Sequence, residues 1–266
     1  MSLWPLPEPR GFVTAWQFLT RFPSPGRWDA VSSTPGSAVA WFPAVGGILG
    51  CILLLLDQVA LHWFSQSVVN ALLVTAWVAM TGALHLDGLI DTVDGLRGGA
   101  DAATRLRAMR QSAVGGMGAL VGALAVLAYF VALDPLQGSA RSAALILAPT
   151  YGRAAILLAY WRYPYGRDEP TLSQGLKAGA NGPALIFGLV TVAVIALLVA
   201  GPSGLAFFPV AIGLVAIVAR VAMARIPGLT GDCYGAICEL TQLAVLMLAP
   251  GVFAVCRVGS DAMGGW

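Results

Sequence analysis

Seven stretches of this chain stay apolar for close to the length of a membrane crossing: 38–56, 68–86, 113–133, 142–161, 183–200, 205–224 and 235–256. A helix needs about 20 apolar residues to span a bilayer, and only a helix or a closed barrel satisfies its backbone groups there. Runs of this length are four times those of a strand, so helices are the expectation. The composition agrees, with 58% hydrophobic and 11% charged residues and a mean hydropathy of +0.79. A soluble domain carries about 25% charged residues, enough to coat its surface. The fold expected is therefore an all-α, polytopic integral membrane bundle of about seven transmembrane helices. It forms a single membrane domain over 1–266, with an N-terminal cytoplasmic segment at 1–37, the bundle at 38–256 and a tail at 257–266. The lipid bilayer is thus its first partner.

A net charge of +2 supplies no dense cationic face, which excludes nucleic acid as a partner. No internal repeat marks the paired halves of a transporter. Near the start, the apolar stretch 11–22 is interrupted by Gln17 and Arg21 and lacks a following cleavage site, so no cleavable signal is expected. Phe12, Trp16 and Leu19 recur at helical spacing and predict a short interfacial helix. Cys51, Cys233, Cys238 and Cys256 form no CxxC pair and no zinc-ligand spacing, and are read as small hydrophobes. Gly46, Gly47 and Gly50 permit close helix contact, within the bundle or in a homo-oligomer.

Short loops rich in Lys and Arg mark the cytoplasmic side. With the N-terminus inside, that side collects Arg10, Arg21, Arg27, Arg97, Arg105, Arg107, Arg110, Arg162, Arg167, Lys177 and Arg225, while Arg141 and Arg257 fall outside. The same assignment gathers Asp87, Asp91, Asp94, Asp101, Asp168, Glu169 and Asp232 on the cytoplasmic face, where the chemistry is expected. Arg153, Arg220 and Glu239 lie inside spans, toward their cytoplasmic ends. Ionisable groups there are costly and usually face a protein interior or a wet cavity, so these three are expected to line the floor of one, with Arg153 deepest.

The informative segment is His85-Leu86-Asp87-Gly88-Leu89-Ile90-Asp91-Thr92-Val93-Asp94-Gly95, at the end of the second run. In a helix, Asp87, Asp91 and Asp94 stand at i, i+4 and i+7 and share a face. Three stacked carboxylates repel unless a cation or protons neutralise them. A solvated acidic helix end is the alternative, but solvated faces normally mix signs. Oxygen donors select a hard metal, and one or two carboxylates beside substrate phosphates is a usual setting for Mg²⁺. Gly88 and Gly95 each lower helix propensity by about 1 kcal/mol, which points to close approach of backbone to a ligand or a break in the helix. His85 falls on another helical face, as a general base, a phosphate donor or a structural hydrogen-bonding group at the membrane boundary.

Downstream, Arg105, Arg107 and Arg110 precede a glycine-rich start to the third run, Gly115-Gly116-Met117-Gly118. Guanidinium forks suit phosphate oxygens, and a helix start free of side chains leaves its N–H groups open to an anion. Positive-inside anchoring alone also explains the arginines. Asp232, just before the last run, is placed either to cap that helix or to donate a metal ligand.

Five landmarks in order carry a resemblance: QFLTRFPSP, AWFPAVGGILG, TGALHLDGLIDTVDGL, the arginine and glycine segment from Arg105 to Gly118, and GLTGDCYGAICELTQ. Together they resemble the cobalamin synthase family, the adenosylcobinamide-GDP ribazoletransferases, over nearly the whole chain. The resemblance implies Mg²⁺-dependent attack by a hydroxyl of α-ribazole, or of its 5′-phosphate, on the cobinamide-side phosphorus of adenosylcobinamide-GDP, with GMP leaving. It implies a bacterial cytoplasmic (inner) membrane protein whose site faces the cytoplasm. Carried onto this chain, Asp87, Asp91 and Asp94 hold the metal, and Asp94 or His85 takes the nucleophile's proton. Arg105, Arg110 and Arg153 supply countercharge to phosphate, and Asp232 and Glu239 close the site. The chain departs from the family where Gln111 and Ala113 stand for an acidic residue and an arginine, where Gly166 stands in the commoner PYAR, and where Gln242 replaces an expected glutamate.

Two other membrane transferase classes also use aspartates. CDP-alcohol phosphatidyltransferases place Ala-Arg three residues after the first Asp-Gly, which Gly88-Leu89-Ile90-Asp91-Thr92 does not match, and intramembrane prenyltransferases need two separated acidic clusters. A cation transporter would carry its charges near mid-bilayer, whereas these crowd one face.

Overall fold

The computed structural model describes residues 8–24, 35–111, 113–167 and 171–263, with side chains to 254. Arg27, Ser112, Asp168 and Glu169, and the side chains of Cys256 and Arg257, lie outside the described residues. Among the described residues the fold is α-helical and has no strand. Its helices are α1 (Pro9–Leu19), α2 (Phe42–Ala60), α3 (Gln66–Thr81), α4 (Leu84–Arg97), α5 (Ala102–Ala108), α6 (Gly116–Leu133), α7 (Gly138–Arg162), α8 (Leu172–Ala178), α9 (Gly182–Ala200), α10 (Phe207–Met223) and α11 (Gly231–Met263).

By length and apolarity five described helical stretches can cross a membrane, or six if the bent pair α3 and α4 is one span. The difference from seven has two physical sources. The stretch Gly182–Met223 runs 42 residues without losing apolar character, about 63 Å at helical rise, twice the hydrocarbon thickness of roughly 30 Å. It is broken at Gly201 (φ +58°), and a 3-10 turn folds back so that Gly204 lies against Ala196, leaving α9 and α10 as separate helices. The second source corrects the expected span 68–86. Helix α3 ends at Thr81, and α4 departs at 85° to it. Gly82 (φ +61°) terminates α3 in a Schellman motif, with the N–H of Ala83 donating to Val78 O at 2.9 Å and that of Gly82 to Ala79 O at 3.2 Å. Ala83 is also left-handed (φ 59°), at a cost of about 1–2 kcal/mol. The expected span 68–86 is therefore not one straight helix but parts of two, which meet at Gly82 and Ala83.

The pillar of the bundle is α7, which packs on α2, α9, α10 and α11. Pro149 inside α7 cannot donate to the carbonyl of Leu145. Gly50 of α2 presses against that carbonyl, and Gly46 against Pro149 O: a Cβ at either would come within 2.7 and 2.3 Å. These glycines thus pack within the bundle, which accounts for the small-residue patch without a second copy. At the far end of the same pair, buried Arg141 donates to Asp57 Oδ1 at 2.7 Å, to Asn70 Oδ1 at 2.8 Å and to Leu133 O at 2.8 Å. Helix α1 forms where the aromatic spacing predicted, and it buries Gly11, Ala15 and Leu19 against the 35–41 turn and α2. Leu55, Leu124, Leu127 and Leu198 remain exposed, as side chains facing lipid are.

Residues 82–83, 98–111, 163–167 and 224–230 meet at one end. Arg21 N donates to Met80 O, Arg105 Nη1 to Arg225 O, and Arg225 Nη1 to Leu96 O. This is the end that collects the cations and carboxylates in the sequence.

Candidate active site at a glycine crossing

Helices α4 and α11 cross where Gly88 meets Gly235. A Cβ on Gly88 would lie 2.9 Å from Asp232 O and 3.1 Å from Gly235 Cα, and one on Gly235 would lie 2.9 Å from His85 O. The close approach at Gly88 is to the backbone of another helix, where the sequence suggested a ligand or a break in the helix. It sets Asp87 and Asp91 of α4 against Asp232 of α11.

A cavity of about 210 Å³ opens at this crossing. Its walls include Phe18 of α1, His85 and Asp87 of α4, Tyr160 of α7, Ser173 of α8, and Asp232 and Tyr234 of α11. The Tyr160 and Tyr234 rings pack together with centroids 3.9 Å apart. Asp91 is half-buried, and burial pushes its carboxyl up to about 6, helped by the negative charges of Asp87, Asp232 and Asp94 and opposed by Arg167. Crowded acids of this kind bind a proton or a cation. Among the described residues no three His, Cys, Asp or Glu side chains converge tightly enough to form a protein-only metal cage. Two carboxylates on a cavity wall with a third close by are instead an arrangement suited to an ion that takes its remaining ligands from phosphate or water.

Asp94 faces elsewhere. Its Oδ2 accepts the N–H of Gly115 at 2.7 Å and its Oδ1 that of Gly118 at 2.8 Å, so it caps the start of α6. A Cβ at Gly118 would lie 2.2 Å from Asp94 Oδ2. The glycine-rich start, read as a cradle for a phosphate, holds this carboxylate.

Arg167, which the sequence reading took only as a loop cation, belongs to the site. Its Nη2 donates to Asp232 Oδ2 at 3.2 Å, as does Thr230 Oγ1 at 3.2 Å. Two loops deliver it. Gly166 N donates to Leu229 O at 2.8 Å and Leu229 N to Pro164 O at 2.9 Å, with Gly166 pressed on Gly228. The signal lay in the paired glycines 166 and 228, but nothing in sequence pairs loops 60 residues apart.

The other predicted residues are placed differently. Arg105 is tied to Arg225 O through Nη1, and Arg110 is exposed; neither lines the cavity. Arg220 is exposed on α10. Arg153 and Glu239 do not form the cavity floor but lie behind it in a buried chain. Arg153 Nη1 donates to Gln242 Oε1, Gln242 Nε2 to Tyr129 OH at 2.8 Å, and Tyr129 OH to Glu239 Oε2 at 2.6 Å. Gln242 thus bridges two opposite buried charges. Cys51, Cys233 and Cys238 are free thiols.

Fold and site together define the class: an integral membrane protein of bundled helices with one acidic, cavity-forming site at one end of the bundle. The family model of CobS, cobalamin-5-phosphate synthase, matches residues 11–250. Among curated relatives, the adenosylcobinamide-GDP ribazoletransferase of Stutzerimonas stutzeri is 39% identical over 88% of this chain and 95% of its own length. That of Syntrophobacter fumaroxidans is 36% identical over 90% and 97%, and that of Brevibacillus brevis 30% identical over 90% and 97%. No solved structure matches the chain. The chain belongs to the cobalamin-5-phosphate synthase family.

Proposed function

We propose that this chain is the transferase that completes the nucleotide loop of cobalamin. A hydroxyl of α-ribazole, or of its 5′-phosphate, attacks the cobinamide-side phosphorus of adenosylcobinamide-GDP. A new O–P bond forms, the diphosphate P–O bond breaks, GMP leaves, and the proton of the hydroxyl passes to a base. The product is adenosylcobalamin or its 5′-phosphate. Relatives across nearly the full chain length carry this activity in their names.

The observation that carries the site assignment is the Gly88–Gly235 crossing, because it sets Asp87 and Asp232 on the wall of one cavity with Asp91 close by. The donor set is oxygen-only and mutually repulsive, which fits Mg²⁺ on Asp87 and Asp91 with Asp232 opposite. When bound, Mg²⁺ supplies the charge neutralisation that phosphoryl transfer needs. Arg167 orients Asp232, and Asp94 fixes the aspartate-bearing helix on α6. The one-sided gathering of cations supports a site on the cytoplasmic face of the bacterial inner membrane.

The test is direct. Protein purified in detergent with Mg²⁺ and adenosylcobinamide-GDP should release GMP only when α-ribazole or its phosphate is added. Absence of GMP with each acceptor, across several divalent ions, would overturn the assignment.

A further inference from the structure

His85 lines the cavity and is buried at its rim, with its Nδ1 3.5 Å from Nη2 of Arg153. A guanidinium has five donors and no acceptor and stays charged in proteins. A ring nitrogen that receives its N–H carries no proton of its own. The orientation of Arg153 is itself imposed. Its other terminal nitrogen donates to Gln242 Oε1, and Gln242 cannot turn its amide round, because its Nε2 donates to Tyr129 OH while that hydroxyl donates to Glu239 Oε2. Every link points the same way, from Arg153 on α7 to Glu239 on α11. The network also balances one buried cation with one buried anion, the condition under which such charges are tolerated away from water.

We infer that Arg153 is a positioning residue that fixes the tautomer of His85, so that the ring presents Nε2–H to the cavity as a hydrogen-bond donor toward substrate phosphate oxygen. His85 then serves as an electrostatic element, as a backbone amide does in an oxyanion hole, and does not take the proton of the attacking hydroxyl. Of the three roles open to His85 in the sequence, general base, phosphate donor and structural hydrogen-bonding group, the inference takes the donor. This inference rests on the proposed phosphoryl transfer for its substrate, but the tautomer is a property of the resting protein.

The chain has two histidines, and His62 is exposed at the end of α2, away from the site. In a His62→Gln background, ¹⁵N-histidine labelling leaves one imidazole to observe by NMR in detergent. The expected spectrum has Nδ1 unprotonated and Nε2 protonated, relaxing to a tautomer mixture in Arg153→Met and in Gln242→Leu. In the GMP-release assay, His85→Gln, whose amide N–H replaces Nε2–H, should keep kcat within about tenfold of the parent, while His85→Leu loses about 10²- to 10³-fold, the cost of removing one preorganised donor. A parent spectrum with the proton on Nδ1, or a His85→Gln enzyme as inactive as His85→Leu, overturns the inference. If no GMP is released by any variant the proposed function fails, and the spectrum still decides the tautomer.

Discussion

Asp87, Asp91, Asp94 and Asp232 do two kinds of work, divided by what their oxygens touch. Both oxygens of Asp94 are taken by amides of α6, whereas Asp87 and Asp232 border the cavity and Asp91 senses both. Asp87→Asn and Asp91→Asn should each lower kcat for GMP release by about 10²- to 10³-fold, as expected when charge stabilisation of a phosphoryl transfer is removed. Membrane insertion, checked by detergent extraction yield, should be unchanged. The raised carboxyl of Asp91 sets a pH dependence whose sign is fixed. A folded-state value of about 6 lies above the ordinary carboxylate range, so the metal-free protein binds a proton more readily than the unfolded chain and loses stability as pH rises through that value. Mg²⁺ competes for the ionised form. The increase in melting temperature on adding Mg²⁺ should therefore be large above pH 6 and fade below it, read by thermal unfolding in detergent. At this scale the sequence showed the right residue types and the shared face, because i, i+4 and i+7 spacing is local. It did not show that Asp94 would meet Gly115 and Gly118, or that Arg167 would meet Asp232, since both pairings depend on which loops dock.

Glycines decide how the elements meet. At Gly88 an added Cβ would press on backbone atoms of α11 that cannot rotate away, so Gly88→Ala should destabilise the fold by about 1–3 kcal/mol, the usual cost of overpacking. It should also open the gap between Asp87 and Asp232 and depress turnover beyond the loss of folded protein, which comparing activity with the folded fraction would reveal. Most helices were legible as apolar runs, and α1 was legible from the spacing of Phe12, Trp16 and Leu19. The break at Gly82 was hidden because 68–86 stays apolar across it; the clue was a single glycine, and the left-handed alanine after it carries no sequence mark. The separate runs 183–200 and 205–224, by contrast, match α9 and α10, which Gly201 divides.

At the scale of the bundle, the charged groups at its two ends do different work. One end carries the cleft, and the other carries the Arg141–Asp57 pair, buried among α2, α3 and α7. Arg141→Met leaves Asp57 buried without its partner and should cost about 3–5 kcal/mol of stability, while GMP release per folded molecule stays near that of the parent. The proposed cytoplasmic orientation predicts that a cysteine introduced beside Arg97 reacts with an impermeant maleimide only after the cells are permeabilised. The central claim is that the carboxylates at the α4–α11 crossing jointly hold one divalent ion, and Mn²⁺ titration followed by electron paramagnetic resonance tests it most directly. One Mn²⁺ bound per chain, displaced by Mg²⁺ and lost in an Asp87→Asn/Asp91→Asn double variant, is the result expected; undiminished binding in that variant would contradict the account.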